Sequence, residues 1–346
     1  MSRTNLVGLL PSELEDLTAE LGQSRYRGRQ IATWMYRKGV LDLARMTDLP
    51  REFRDALAES AFIGLPTVER VTPSADGSRK IVLKLDDGGR VSAVVMPDDD
   101  RTTLCLSTQV GCGFECAFCL TGTMGVDRNL TEAEILGQLL VANELLQDED
   151  RRVTHMVFMG MGEPLANYAT VVSALRRIVE PAPSGLGISA RGVTVSTVGL
   201  VPRMRQLAEE GLPVTLAVSL HAPDDALRDT LVPINTRHKV AEVLDAAWGY
   251  ADRTGRRVSI EYALIKDIND QVWRADLLAD LLVGRLVHVN LIPLNPTPGS
   301  KWTASRPEDE RAFVRTLERR GVRVTVRDTR GREIDGACGQ LAATST

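Results

Sequence analysis

Aromatic residues make up only 4% of this 346-residue chain, which is low beside a hydrophobic content of 43% and a charged content of 25% that suit an ordered globular protein. No apolar run approaches ~20 residues, which excludes a membrane-spanning helix of the usual kind. The opening "MSRTNLVGLLPSELEDLTAE" has a brief apolar patch followed at once by acids, the wrong order and length for a secretory signal, so the expected location is cytoplasmic, with no membrane partner. Cysteines are few and odd in number, five in all, which excludes a secreted disulfide framework and leaves metal or redox chemistry. There is no excess of positive charge: the formal net charge of -4 excludes a generally basic nucleic-acid binder and leaves only local patches for phosphate. The length fits one large α/β unit with an appendage, since a complete barrel takes roughly 250 residues.

What is present has a clear order. The first sixty or so residues predict helices, because "SELEDLTAELG" and "RYRGRQIATWMYRKG" each carry apolar residues at helical spacing and end at a glycine. "RKIVLKLDDGGRVSAVVMP" then predicts a β-hairpin around Asp-Asp-Gly-Gly. From about residue 103, short β-rich runs ("TLCLST", "THMVFMG", "GVTVSTVG", "VTLAVSLHA", "SIEYALI", "VHVNLIPLN", "VRVTVRD") alternate with helical stretches, the rhythm of parallel β/α units. One of these stretches, "TEAEILGQLLVANELL", reads as an amphipathic helix opened by a Thr131/Glu134 capping pair.

Side chains alternate along a strand, so Thr103, Cys105 and Ser107 share one face, as do Thr215, Ala217, Ser219 and His221. Thr194 with Ser196, Ser259 with Glu261, and His288 with Asn290 repeat the pattern. A filled barrel wants bulky apolar residues inside. Polar faces predict instead an open barrel that encloses a polar ligand, the alternative being a sheet with one wet face.

Cys112, Cys116 and Cys119, spaced Cys-x3-Cys-x2-Cys directly after the first of these strands, can ligate three irons of a [4Fe-4S] cluster and leave the fourth open. Zinc is the alternative, and it would have to recruit a fourth ligand such as Cys105 or His155. The motif and its placement resemble the signature of radical S-adenosylmethionine enzymes. By that resemblance "GMGEP" (Gly160 to Pro164) is the loop that receives the cofactor's amino group, with Gly162 giving close backbone approach and Glu163 accepting from the ammonium. Ser196, the "SLH" triplet Ser219, Leu220 and His221, and Asn295 would line the rest of the cofactor pocket.

Cys105 in "TLCLSTQVGC" and Cys338 in "EIDGACGQLA", taken with "DRNLT", "SLHAPDD", "VPIN", "NLIPLNP" and the N-terminal "YRGRQIATWMYRKGV", resemble the RlmN/Cfr family of RNA adenine methyltransferases over nearly the whole chain. The resemblance implies a partial (β/α)6 radical SAM barrel at 99–335, preceded by a helical RNA-binding domain at 1–62 and a β-hairpin extension at 63–98, and followed by a mobile tail at 336–346. It also implies methylation of carbon 2 of an adenine in 23S rRNA, and of the purine beside the anticodon in some tRNAs. Two S-adenosylmethionine molecules would be used per turnover. Cys338 would carry the methyl group into a covalent RNA adduct, Cys105 would resolve that adduct as a disulfide, and an external reductant such as flavodoxin would be needed. Carbon 8, the Cfr-type target, is the alternative within the family; a non-catalytic, zinc-stabilised RNA-binding protein is the alternative outside it.

One position departs from the family, which has a glutamate for proton removal where this chain has Ser92, a poor base. RNA contact is expected from two basic runs, Arg25, Arg27, Arg29, Arg37 and Lys38 interleaved with Tyr26, Trp34 and Tyr36, and "RRGVRVTVRDTRGR" near the other end.

Overall fold

The computed structural model describes residues 3–297, 299–328 and 330–342, so the last four residues of the expected tail lie outside the described residues. One ten-stranded sheet organises the chain. Seven strands run parallel in chain order: Arg101–Cys105, His155–Phe158, Val193–Thr197, Thr215–Ser219, Val258–Leu264, Val287–Pro293 and Val324–Val326. Helices join each to the next, giving six strand-helix units closed by a seventh strand, with the two outer parallel strands left unpaired to each other. This is the expected partial barrel.

Beyond Arg101–Cys105 the sheet continues antiparallel through Arg90–Asp98 and Arg79–Lys84, the hairpin read from Asp-Asp-Gly-Gly. A third antiparallel strand, Thr67–Pro73, was not read from the sequence. Five of its seven residues are exposed, and Val68 and Val71 fall three apart rather than two, so it lacks the apolar alternation that marks a half-buried strand.

The register stacks the polar positions into layers. Ser196 pairs with Ala217, Ala217 with Ser259 and Ser259 with His288; one layer further along, Ser219 pairs with Glu261 and Glu261 with Asn290. Their neighbours Leu216, Val218, Leu220, Ile260, Val289 and Leu291 are buried in the main core on the helix side. The open-barrel reading therefore holds: the outer faces supply the hydrophobic burial, and the inner faces are left for ligands.

The helix at Glu132–Leu146 starts as expected, with Thr131 Oγ1 accepting from the Glu134 amide at 3.2 Å and the Glu134 carboxylate accepting from the Thr131 amide at 2.8 Å. It is not amphipathic, however, because every residue from Ile135 to Ala142 is buried. The reason is a second cover: the N-terminal segment lies against Ala133 at Gly8, and Pro66 packs against Gly137. The N-terminal helices span Pro11–Glu20, Tyr26–Ala32 and Arg51–Ser60, with one wider turn at Thr33–Arg37.

Candidate active site

The carboxy-terminal ends of the parallel strands carry most of the residues singled out above. Cys112 ends the short strand Gln109–Cys112, which pairs with Gly125–Asn129 to make a ribbon leading out of the first barrel strand. The Cys119 amide donates to the Cys116 carbonyl at 2.9 Å, and the Ala117 amide to Leu231 at 3.0 Å, so the loop is fixed at both ends. Cys112, Cys116 and Cys119 line one cavity of about 140 Å³ together with Gly162, Glu163, Ser196, Ser219 and His221.

Burial pushes the Cys112 thiol up to about 11 and raises Cys116 further still, each helped by the negative charge of neighbouring thiolates. Three thiols crowded in an apolar setting need a cationic centre before all can ionise. Cys116 and Phe118 pack against a small hydrophobic cluster that includes Leu231, Val232 and Ile265, which would shield a bound cluster from water. Among the described residues no three His, Cys, Asp or Glu side chains converge tightly enough for a single metal ion. Three thiols in one loop match the three-cysteine ligation of a [4Fe-4S] cluster, whereas a structural zinc would need a fourth protein ligand.

The loop Gly160 to Pro164 is pressed against the strand that precedes the cysteines. A Cβ at Gly160 would lie 2.5 Å from the Leu106 carbonyl oxygen. At Gly162 it would lie 2.5 Å from Gln109 Cβ, at a φ of +94° that favours glycine. The Gly160 amide donates to Leu106 at 2.9 Å, the Met161 amide to Ser107 Oγ at 2.8 Å and the Glu163 amide to Gln109 Oε1 at 2.8 Å. Glu163 is buried, accepts from the amides of Leu165 (3.0 Å) and Val198 (2.8 Å), and is pushed up to about 7 by burial, against those hydrogen bonds.

Ser196 donates to the Phe158 carbonyl at 2.9 Å. His221 takes a left-handed backbone, φ 61°, and its Nδ1 accepts from the Ala263 amide at 2.9 Å. Burial lowers it to about 3, so the ring is neutral and the ring edge stands against Phe118 at 4.6 Å between centroids. Two of the expected pocket residues lie elsewhere. Leu220 is fully buried on the core side, as strand alternation requires between Ser219 and His221. Asn295 lines the neighbouring cavity and its Nδ2 donates to the Cys338 carbonyl at 3.0 Å.

That neighbouring cavity, about 240 Å³, is lined by both Cys105 and Cys338. Cys338 also lines the cavity of the three clustered cysteines, so the residue borders both. Both cysteines are free thiols. Burial first, and then the charge of Cys338, push Cys105 up to about 12. The Arg327 guanidinium donates toward Cys338 Sγ at 3.8 Å and is itself raised by the charge of that sulfur.

The described part of the expected tail, residues 336–342, packs against the barrel. Ala337, Gln340, Leu341 and Ala342 are buried, and Gln340 Nε2 donates to Pro296 at 2.8 Å. The Gly339 carbonyl accepts from Leu120 at 2.8 Å and the Leu341 carbonyl from Thr121 at 2.5 Å. Ser92 is also buried, and its hydroxyl donates to the Ala342 carbonyl at 3.3 Å.

Several residues of the site carry no motif of their own. Arg327 was read only as part of a basic run and Glu261 only as one polar strand position. Arg228 was not read at all; fully buried, it donates to the carbonyls of Leu220, Val198 and Ser219 and to Asn235 Oδ1. "SLHAPDD" and "VPIN" are therefore two halves of one polar clamp.

The basic runs are less free than their composition suggests. Arg25 and Arg29 pair with Glu15, Arg25 also with Asp16, and Lys38 with Asp48, all at the surface. Arg320 pairs with Asp276 and Asp280, and Arg330 with Asp98.

Comparison with known proteins agrees over almost the full length. Residues 4–63 match the ribosomal RNA large subunit methyltransferase N-terminal domain, and residues 106–278 match the radical SAM superfamily. Proteins named probable dual-specificity RNA methyltransferase RlmN from Thermobifida fusca (strain YX) and Streptomyces griseus are 60% and 56% identical to this chain, each alignment covering 98% of this chain and 94% of the relative. The crystal structure of a radical SAM methyltransferase from Sphaerobacter thermophilus has a TM-score of 0.94 at 44% identity, covering 99% of this chain and 100% of that one.

Proposed function

Because the chain belongs to the RlmN family of radical S-adenosylmethionine RNA methyltransferases, we propose that it methylates carbon 2 of an adenine in 23S rRNA, and of the purine beside the anticodon in some tRNAs, with Cys338 as methyl carrier. The family's radical SAM domain implies a [4Fe-4S] cluster and S-adenosylmethionine. Cys112, Cys116 and Cys119 would hold the cluster, and the loop around Glu163, with Ser196, Ser219 and His221, would hold the cofactor. When bound, the pair supplies a one-electron route to carbon radicals, which matters because an adenine carbon between ring nitrogens is electrophilic and resists ordinary methyl transfer. Membership of an enzyme family removes the non-catalytic zinc reading.

The observation that carries the proposal is the place of Cys338, which borders both the cavity of the clustered cysteines and that of Cys105. From there its sulfur can take a methyl group, losing its proton as the carbon-sulfur bond forms. That methyl group would then give up one hydrogen atom to the activated cofactor, its carbon would bond to carbon 2 of the adenine, and carbon 2 would release its proton and one electron. Cys105 then attacks the Cys338 sulfur, and its proton passes to the carbon that is released. The new disulfide replaces the carbon-sulfur bond, methylated RNA leaves, and two electrons from an external donor such as flavodoxin restore both thiols. The two cysteines line one cavity, and the step needs their Cα atoms to come within ~7 Å. Arg327 steadies negative charge on the exchanging sulfurs.

The test pairs two variants. Cys338→Ala should block methyl transfer both to the protein and to RNA. Cys105→Ala should still form the adduct and accumulate protein covalently joined to RNA on a denaturing gel. Normal RNA methylation by Cys338→Ala would sink the carrier role, and absence of the trapped species would sink the role of Cys105.

A further inference from the structure

A third cavity, about 650 Å³, lies at the opposite end of the barrel from the clustered cysteines. Its rim is formed where the chain enters the strands, at Arg256 and Arg257 before Val258–Leu264 and at Arg323 before Val324–Val326. Among the described residues none of these three arginines is in a salt bridge, whereas Arg253 and Arg320, close by in sequence, are paired with carboxylates. In a chain of net charge -4, uncompensated guanidinium groups gathered around one opening make a local anion site.

Inside, the walls hold buried polar atoms that no protein group satisfies: Arg256 Nε, His288 Nδ1 and Glu261 Oε2, three of the nine such atoms among the described residues. Glu261 is 3% exposed. Its Oε1 accepts from Ser259 at 2.7 Å and from Asn290 at 3.0 Å, while Oε2 has no donor. A buried carboxylate oxygen without a donor is costly unless a ligand supplies one.

The cavity leads to the reaction site. Met159, Glu261 and Arg327 line it and also line the cavity of the clustered cysteines, which Cys338 borders as well. The other end of the barrel is covered by the cysteine loop and the C-terminal tail, joined by the Leu120 and Thr121 hydrogen bonds to Gly339 and Leu341. The cavity beside Cys105 also reaches Cys338, but Arg101 and Arg330, which line it, are both paired with Asp98, so the amino-terminal mouth is the opening whose rim arginines are left for phosphate.

We propose that the amino-terminal mouth of the barrel is the RNA entry site. Arg256, Arg257 and Arg323 bind the phosphates on either side of an unstacked nucleotide, and the free oxygen of Glu261 accepts a hydrogen bond from the exocyclic amino group of the inserted adenine. The inference rests on the RNA methyltransferase reading above and adds the route and the residues that line it. Single-stranded and looped RNA is held in this way, with cations on the backbone and hydrogen bonds on the base edge.

The experiment uses reconstituted holoenzyme and a synthetic RNA hairpin from the large ribosomal subunit bearing the target adenine. Binding is followed by fluorescence anisotropy across a salt series. The triple variant Arg256→Glu/Arg257→Glu/Arg323→Glu should bind at least about tenfold more weakly. Its log-log salt dependence should be shallower by about 2, at roughly 0.7 per lost phosphate contact. Cluster content and cofactor-dependent methylation of Cys338 should stay as in wild type, showing that the fold and reaction site are intact. Glu261→Gln should raise KM for the adenine hairpin and narrow the preference for it over a hairpin with guanine at that position. Unchanged affinity and salt slope in the triple variant would overturn the inference, as would an equal loss in the distant control Arg311→Glu/Arg315→Glu. Wild-type enzyme that binds RNA through these arginines but transfers no methyl group would overturn the function proposed above while supporting the entry site.

Discussion

Glu163 shows how one buried side chain sets a measurable pH dependence. Burial lifts its carboxyl to about 7, so it is neutral at lower pH and ionised above. An ammonium group is bound by the carboxylate form, so cofactor affinity should rise with pH toward 7 and then level off, changing about tenfold per unit well below that point. Glu163→Gln should bind S-adenosylmethionine roughly 10–100-fold more weakly, the worth of one hydrogen bond to a charged group, and with no such pH slope. Isothermal titration at pH 6 and pH 8 decides it, since equal wild-type affinities would remove Glu163 from this role. Ser92 is the opposite case. Its hydroxyl is spent on the Ala342 carbonyl, so at this position the chain has a strut for the tail in place of an acid.

At the scale of elements, the loop Gly160 to Pro164 works because it lies flat on the segment Leu106 to Gln109. Gly162→Ala adds a methyl 2.5 Å from Gln109 Cβ at a positive φ and should cost about 2 kcal/mol or more in urea unfolding. It should also weaken cofactor binding, because the displaced loop carries Glu163 with it. Full stability and binding in this variant would show that the loop can shift without penalty. Much of this level was legible in advance. Strand alternation placed Ser196, Ser219, His221 and Glu261 on the inner face, and the spacing of Cys112, Cys116 and Cys119 pointed to their chemistry. The exposed strand Thr67–Pro73 and the all-round burial of Glu132–Leu146 were not legible, because both depend on neighbours distant in sequence.

At the scale of the whole molecule, Arg228 ties together the ends of two barrel strands and the "VPIN" turn through four acceptors. Burial lowers it to about 10, which leaves it charged at neutral pH. Arg228→Leu would strand those acceptors and should cost about 3–5 kcal/mol, read as a fall in the denaturant midpoint together with loss of bound iron. A variant as stable as wild type would mean that water replaces the guanidinium. The sequence by itself determined the parallel α/β architecture, the polar barrel interior and the donor set of the cysteine loop, because side-chain period and ligand spacing are local properties of the chain. Only the tertiary structure decided that Cys338 meets Cys105 across 233 positions of sequence, that Asn295 serves the tail, and which arginines are left unpaired at the mouth. Those outcomes depend on which strand ends and loops converge in space, and that convergence is set by packing between segments far apart in the chain.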